Sequence, residues 1–243
     1  MILEQFVEIK EQTQVMADPL DLLVTNIILK EHAPTEIYEI GTGSGAWVIT
    51  QFKTGITAPE YVLIDDFSWT AKGWSGNRFW PQDELDLRNY VDEQTNHKLS
   101  FKIVNSDIYD YIDIMKSNIN TVRIDMDPDH NGFEKIIDKL DDTGLLLVDD
   151  VVFNMGLNRI VNLIDFKRQG KIYPLWIGLK ESAWVKNKDY RDQLYVSACN
   201  TIKENYDIGL TEYDEPYLNI DTWKYFTTRY HNFSEKFQNL KQS

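Results

Sequence analysis

The chain has 243 residues, 42% of them hydrophobic and 26% charged, and its 25 Lys plus Arg stand against 39 Asp plus Glu for a net charge of −14. Those proportions belong to a globular protein with one large core, not to a disordered chain, and the negative field argues against a general hold on nucleic acid or anionic lipid. Cys199 is the single cysteine, which excludes an intrachain disulfide framework or a multi-thiolate metal site and fits a reducing, cytoplasmic setting.

Residues 1–11 are amphipathic and lack the basic start and apolar block of a signal peptide. No apolar run approaches the roughly 20 residues of a membrane span. Asp18 is a good N-cap and Pro19 suits a first helical position; Leu20, Leu23, Val24, Ile27 and Ile28 then recur at helical spacing until Pro34. Residues 1–35 therefore read as a helical segment. Residues 36–40 read as a buried strand entering the loop Gly41-Thr42-Gly43-Ser44-Gly45, residues 46–52 as a helix, and residues 61–64 as a second strand ending in Asp65-Asp66.

Strand, glycine loop, helix and acid-tipped strand describe the opening βαβ unit of a doubly wound α/β sheet. Further strands are predicted at 100–104, 121–124, 145–148, 173–179 and 194–198, with a helix over 133–140 and a turn at 141–144, giving one mostly parallel, seven-stranded, Rossmann-like domain over 1–243. Residues 68–96 carry Trp69, Trp74, Phe79 and Trp80 where one helix would suffice, and read as an aromatic insertion that forms a lid or substrate wall. The aromatics from Tyr217 to Phe237 read as a packed helix or a homo-oligomer contact. Cys199 follows an apolar run and reads as a packing residue.

Gly41, Gly43 and Gly45 allow a sharp turn whose main-chain N–H groups face a ligand with no Cβ between. Gly41, Gly43 and Ala46 also satisfy the dinucleotide pattern G-x-G-x-x-A, so a nicotinamide-dependent oxidoreductase is one reading. Glu39, two residues before the first glycine, instead offers a carboxylate to a cationic ligand. The string from Glu39 to Gly45 resembles the first motif, E/D-x-G-x-G-x-G, of the class I S-adenosylmethionine-dependent methyltransferases. That resemblance implies that Gly41, Gly43 and Gly45 lie beside the methionine part of the cofactor. It implies too that Asp65, with Asp66 beside it, binds the ribose hydroxyls, and that Ser106 and Asp107 belong to the adenine-binding loop. A carboxylate suits a vicinal diol because it accepts two hydrogen bonds.

Asp125, Asp127, Asp129 and His130 follow the fourth predicted strand, and Asp149-Asp150 follow the fifth. In a parallel sheet these tips share the carboxyl edge with the glycine loop. Acids gathered there are costly without a counter-charge, and a divalent cation with hard oxygen ligands, Mg²⁺ first, answers that cost. The segment Asp127-Pro128-Asp129-His130 with the later Asp149-Asp150 resembles the metal-dependent O-methyltransferase branch that includes macrocin O-methyltransferase. By that resemblance Asp127, Asp149 and Asp150 hold the metal and His130 is the general base. Aligning on the strand end makes Asp125 the ligand in place of Asp127; aligning on His130 favours Asp127, which is preferred.

The expected chemistry is Mg²⁺-assisted O-methylation of a small hydroxylated acceptor, a sugar or phenolic natural product. A metal lowers the hydroxyl pKa and orients its oxygen toward the sulfonium methyl, while an imidazole titrating near neutrality takes the proton. The rivals are a metal-independent N- or O-methyltransferase, the nicotinamide oxidoreductase, and a binding protein that has lost turnover.

Overall fold

A computed structural model describes residues 3–13, 15, 17, 19–68, 79–150, 157–178 and 180–205. In chain order the elements are α1 (Leu3–Thr13), α2 (Pro19–His32), β1 (Ile37–Ile40), α3 (Ala46–Lys53), β2 (Tyr61–Asp65), α4 (Glu84–Thr95), β3 (Phe101–Asn105) and α5 (Ile108–Ile114). There follow β4 (Ile119–Ile124), α6 (His130–Lys139), β5 (Leu140–Val148), α7 (Leu157–Arg168), β6 (Tyr173–Ile177), β7 (Ser182–Val185) and α8 (Lys188–Asn205). Aspartates start three helices by accepting orphan backbone N–H groups: Asp83 from Asp86, Asp107 from Tyr109 and Asp110, and Asp129 from Gly132. Asp18 lies outside the described residues, as do Trp69, Trp74 and the aromatics from Tyr217 to Phe237.

The seven strands form one sheet in the order β3-β2-β1-β4-β5-β7-β6. The first five are parallel, and β7 runs antiparallel to both β5 and β6. The chain moves outward from β1 through β2 to β3, then returns to place β4 on the other side of β1. That reversal opens a crevice at the carboxyl ends of β1 and β4, the place where doubly wound sheets hold ligands. The two ends are tied together there, since the Asp125 N–H donates to the Ile40 carbonyl at 2.8 Å.

Side chains alternate between two buried cores. Ile37, Tyr61, Leu63, Leu145 and Leu147 face a core shared with Phe6 of α1, Leu23 of α2, Trp47 of α3 and Leu194 of α8. Tyr38, Ile40, Val122, Ile124, Leu146 and Val148 face the other, with Phe133 of α6 and Phe166 of α7. By the same alternation Glu39 and Arg123, each flanked by residues of the second core, point to the first. Charges therefore enter the apolar face of the sheet at its centre.

The seventh strand differs from the expectation. Residues 194–198 belong to α8, where Leu194, Ala198 and Ile202 are buried at helical spacing and Val196, within the apparent alternation, is exposed. The strand is β7 instead, four wholly buried residues, joined to β6 through the Gly178 N–H bond to the Glu181 carbonyl at 2.7 Å. The predicted turn at 141–144 lies inside β5. Asp141 accepts from the Thr143 N–H and hydroxyl, and the register with β4 jumps from Ile119↔Leu140 to Thr121↔Leu145, so the turn residues form a bulge and not an end. No helix among the described residues is long and apolar enough to cross a membrane.

Candidate active site

The glycine loop leaves β1 with Gly41 at φ 80°, and a Cβ built there would stand 2.6 Å from the Asp125 carbonyl oxygen. Both the dihedral and the contact require glycine, because the loop backbone is pressed onto the tip of β4. Asp65 at the tip of β2 holds the loop from the other side: one carboxylate oxygen accepts from the Gly43 N–H at 2.7 Å and the other from the Phe67 N–H at 2.7 Å. Burial raises the Asp65 pKa, and those two backbone donors oppose the rise. Asp66 is exposed and closes a local turn with the Ser68 N–H. Ser106 meets β2 through its N–H on the Asp65 carbonyl, while the Asp107 carboxylate caps α5.

At the centre of the site lies Arg123, buried in β4. Its Nη1 donates to Glu39 Oε1 at 2.9 Å, its Nη2 to Asp149 Oδ2 at 2.9 Å and its Nε to Glu181 Oε1 at 3.3 Å. Both terminal nitrogens reach Asp125 Oδ2 at 3.4 Å, and the guanidinium carbon lies 4.8 Å from the Trp47 ring centre. Burial alone would lower the arginine pKa, but the carboxylates of Asp125, Asp149, Glu39 and Glu181 outweigh it and raise it. Burial pushes Glu39 up to about 8 against the pull of Arg123, and raises Asp149 and Glu181 in the same direction. Thr25 gives Glu181 a further hydrogen bond at 2.6 Å.

Sequence reading missed Arg123 and Glu181. It assigned the counter-charge of the acids to a metal, whereas the fold itself delivers a cation to them. The signal was present in one form: Arg123 is the one charged residue of a wholly buried strand, opposite a strand whose one charged residue is Glu39.

Asp125, Asp149 and Asp150 each place a carboxylate oxygen within 4.8 Å of the others, a hard-oxygen group suited to a divalent cation. Asp150, at φ 52°, also lies 3.9 Å from Lys180 Nζ. The preferred ligand Asp127 is not in this group. Its carboxylate accepts from Arg159 Nε at 2.6 Å, and Arg159 also donates to the Asp149 carbonyl. His130 is not brought to the group either: it opens α6, its Nε2 stands 3.3 Å from Asp165 Oδ2, and its ring packs on Phe166 of α7 at 4.4 Å between centroids. Only Met126 separates Asp125 from Asp127, and the chain bends there, so the two acids serve different partners, Arg123 and Arg159.

A cavity of about 60 Å³ is lined by Glu39, Thr42, Gly43, Trp47, Trp80 and Arg123 among others, with Asp125 and Asp149 on its wall. Glu39 Oε2 and Trp47 Nε1 are buried beside it with no hydrogen-bond partner among the described residues. An unsatisfied acceptor and donor in one buried corner fit a ligand carrying both an ammonium and a carboxylate. A second cleft, of about 310 Å³, is lined by Asp127, Pro128, Asp129, Arg159, Val161 and Asn162. It adjoins the first through Asp149, whose carboxylate faces Arg123 and whose carbonyl faces Arg159.

No family model and no curated protein matches the sequence. Among solved structures the chain is similar to a methyltransferase from Geobacter sulfurreducens, at 12% identity over 76% of this chain and 88% of that one, with a TM-score of 0.52. It is similar also to an O-methyltransferase from Bacillus cereus in complex with SAH, at 15% identity over 76% of this chain and 90% of that one, with a TM-score of 0.51. These likenesses establish the fold, a seven-stranded mixed sheet of the class I methyltransferase type.

Proposed function

We propose that the chain is an S-adenosylmethionine-dependent methyltransferase that acts on a hydroxyl of a small molecule. The observation that carries the proposal is the junction of glycine loop and acids in one cavity: Glu39, Gly43, Asp125 and Asp149 all line it. The orphaned Glu39 Oε2 suits the cofactor's ammonium, and Asp65, beside Gly43, is placed for the ribose. The second cleft, within the usual size of small-ligand pockets, suits the acceptor. A sugar or phenolic natural product fits its mixed lining of carboxylates, Arg159 and Asn162, and the net charge of −14 disfavours a nucleic-acid acceptor. A cytoplasmic setting and a homo-oligomer belong to the same proposal.

We assign the metal role to Asp125, Asp149 and Asp150. A divalent cation held there would lower the pKa of an acceptor hydroxyl and fix its oxygen. Asp127, half exposed in the acceptor cleft, is better placed than His130 to receive or orient the hydroxyl proton. A second reading has its own observation: Arg123 already pairs with Asp125 and Asp149 and supplies part of their counter-charge, which favours metal-independent transfer. Calorimetric titration with Mg²⁺, with and without S-adenosylmethionine, decides between them, since heat of binding in neither state removes the metal. Thermal-shift screening with S-adenosylhomocysteine and NAD(P) tests the larger proposal. Stabilisation by the dinucleotide alone would overturn methyl transfer in favour of an oxidoreductase.

A further inference from the structure

Trp80 belongs to the aromatic insertion, expected to wall an acceptor, yet it sits on the glycine loop. Its Cζ3 is 3.3 Å from the point where a Gly43 Cβ would stand, so the indole covers the side of the loop on which a side chain would project. Its neighbour Phe79 stacks on Tyr90 of α4 at 4.2 Å between ring centroids. Trp80 and Trp47 line the same cavity as three carboxylates, Glu39, Asp125 and Asp149, and one guanidinium. Aromatic faces and an excess of carboxylates in a small buried space make a receptor for a cation. Trp47 already takes Arg123 over its ring, whereas no arginine or lysine among the described residues is stacked on Trp80.

We propose that Trp80 is a specificity-determining wall for the sulfonium of the cofactor, by which the site separates charged S-adenosylmethionine from neutral S-adenosylhomocysteine. The proposal rests on the methyl-transfer reading. Methyl transfer to the acceptor oxygen breaks the S–CH₃ bond, leaves the electron pair on sulfur and removes its positive charge, while the hydroxyl proton passes to a base. The product therefore loses its attraction to the ring and to the carboxylates at the moment of its formation. A cavity of about 60 Å³ would accommodate that charged centre, and Gly43 with Asp65 beside it would be left to hold the nucleoside.

The test is a pair of dissociation constants, for S-adenosylmethionine and S-adenosylhomocysteine, measured calorimetrically on the wild type, Trp80→Phe and Trp80→Leu. The wild type is expected to prefer the sulfonium. In Trp80→Leu that preference falls by about two- to thirty-fold through weaker binding of S-adenosylmethionine alone, the range for a cation on an aromatic face. Trp80→Phe keeps a ring and should fall between. A preference unchanged in Trp80→Leu, or both ligands weakened equally, overturns the wall while leaving methyl transfer intact. Binding of neither ligand to the wild type overturns the reading beneath it. Far-ultraviolet circular dichroism and the retained S-adenosylhomocysteine affinity report that the variants are folded.

Discussion

Glu39 and Arg123 are register partners on the neighbouring parallel strands β1 and β4, and they form an ion pair of 2.9 Å with both side chains buried. Strand pairing itself sets their separation, so no flexible linker has to be ordered to bring the charges together. The guanidinium then links β1 to Asp149 beyond β5 and to Glu181 before β7. Four segments of the sheet's carboxyl half are thus held by one side chain.

Arg123→Met is expected to destabilise the protein by about 3–5 kcal/mol, because it strands buried carboxylates without their partner. Urea unfolding measures the loss. Arg123→Met combined with Glu39→Gln should cost less than the two single changes added together, since the second removes a charge that the first left unpaired. Strict additivity would show that the pair contributes nothing as a pair.

The pH dependence follows from Glu39, whose folded pKa is pushed up to about 8 from the usual 4.5, first by burial. The folded state then binds a proton that the unfolded state has released, so stability falls as pH rises between those two values. The contribution is fully present below pH 4.5 and lost as pH passes about 8. Asp149 and Glu181 shift in the same direction and add to the slope. Glu39→Gln keeps an acceptor for Arg123 but cannot titrate. Its unfolding free energy should decline less steeply from pH 5 to 8 than that of the wild type, by up to about 1.4 kcal/mol per pH unit. Parallel profiles would refute the raised titration of Glu39.

Much of the architecture was legible because the chain marks it locally. Gly41 is required by its left-handed φ and its contact with Asp125, and the apolar runs of β1, β2, β4 and β5 flank that loop in the order of a βαβ sheet. The last strand was not legible. Ser182–Val185 is too short to show a period, and the alternating Leu194, Val196 and Ala198 imitated a strand from within a helix. At the site, chain proximity misled. Asp127 and His130 share a motif with Asp129, but each turns to a partner on α7. Glu181 reaches Arg123 from far along the chain, through a hairpin that sequence spacing could not place.

The acidic triad gives a direct comparison of two aspartates. Asp150→Asn is expected to weaken Mg²⁺ binding by tenfold or more, on the order of what loss of a charged oxygen ligand costs. Asp127→Asn, which alters an ion pair with Arg159 outside the triad, should leave Mg²⁺ affinity within about twofold. Calorimetry on the two variants reads both. The opposite ranking would return the ligand role to Asp127.

His130 makes the sharpest contrast between motif and geometry. Its imidazole is half exposed, paired with Asp165 at 3.3 Å and packed on Phe166, all on the α7 side of α6. A base must come within hydrogen-bond reach of the hydroxyl it deprotonates, and His130 lines neither the cavity at the glycine loop nor the cleft at Asp127. His130→Ala should therefore keep kcat within about threefold of the wild type and cost no more than about 1 kcal/mol of stability, the scale of an exposed pair. Asp127→Asn should lower kcat by about a hundredfold, in the range for loss of a positioned acid–base group. Once an acceptor is in hand, single-turnover rates for the two variants separate these outcomes. A large loss in His130→Ala with Asp127→Asn near wild type would mean that the loop after β4 swings on substrate binding and carries the imidazole across to the acceptor.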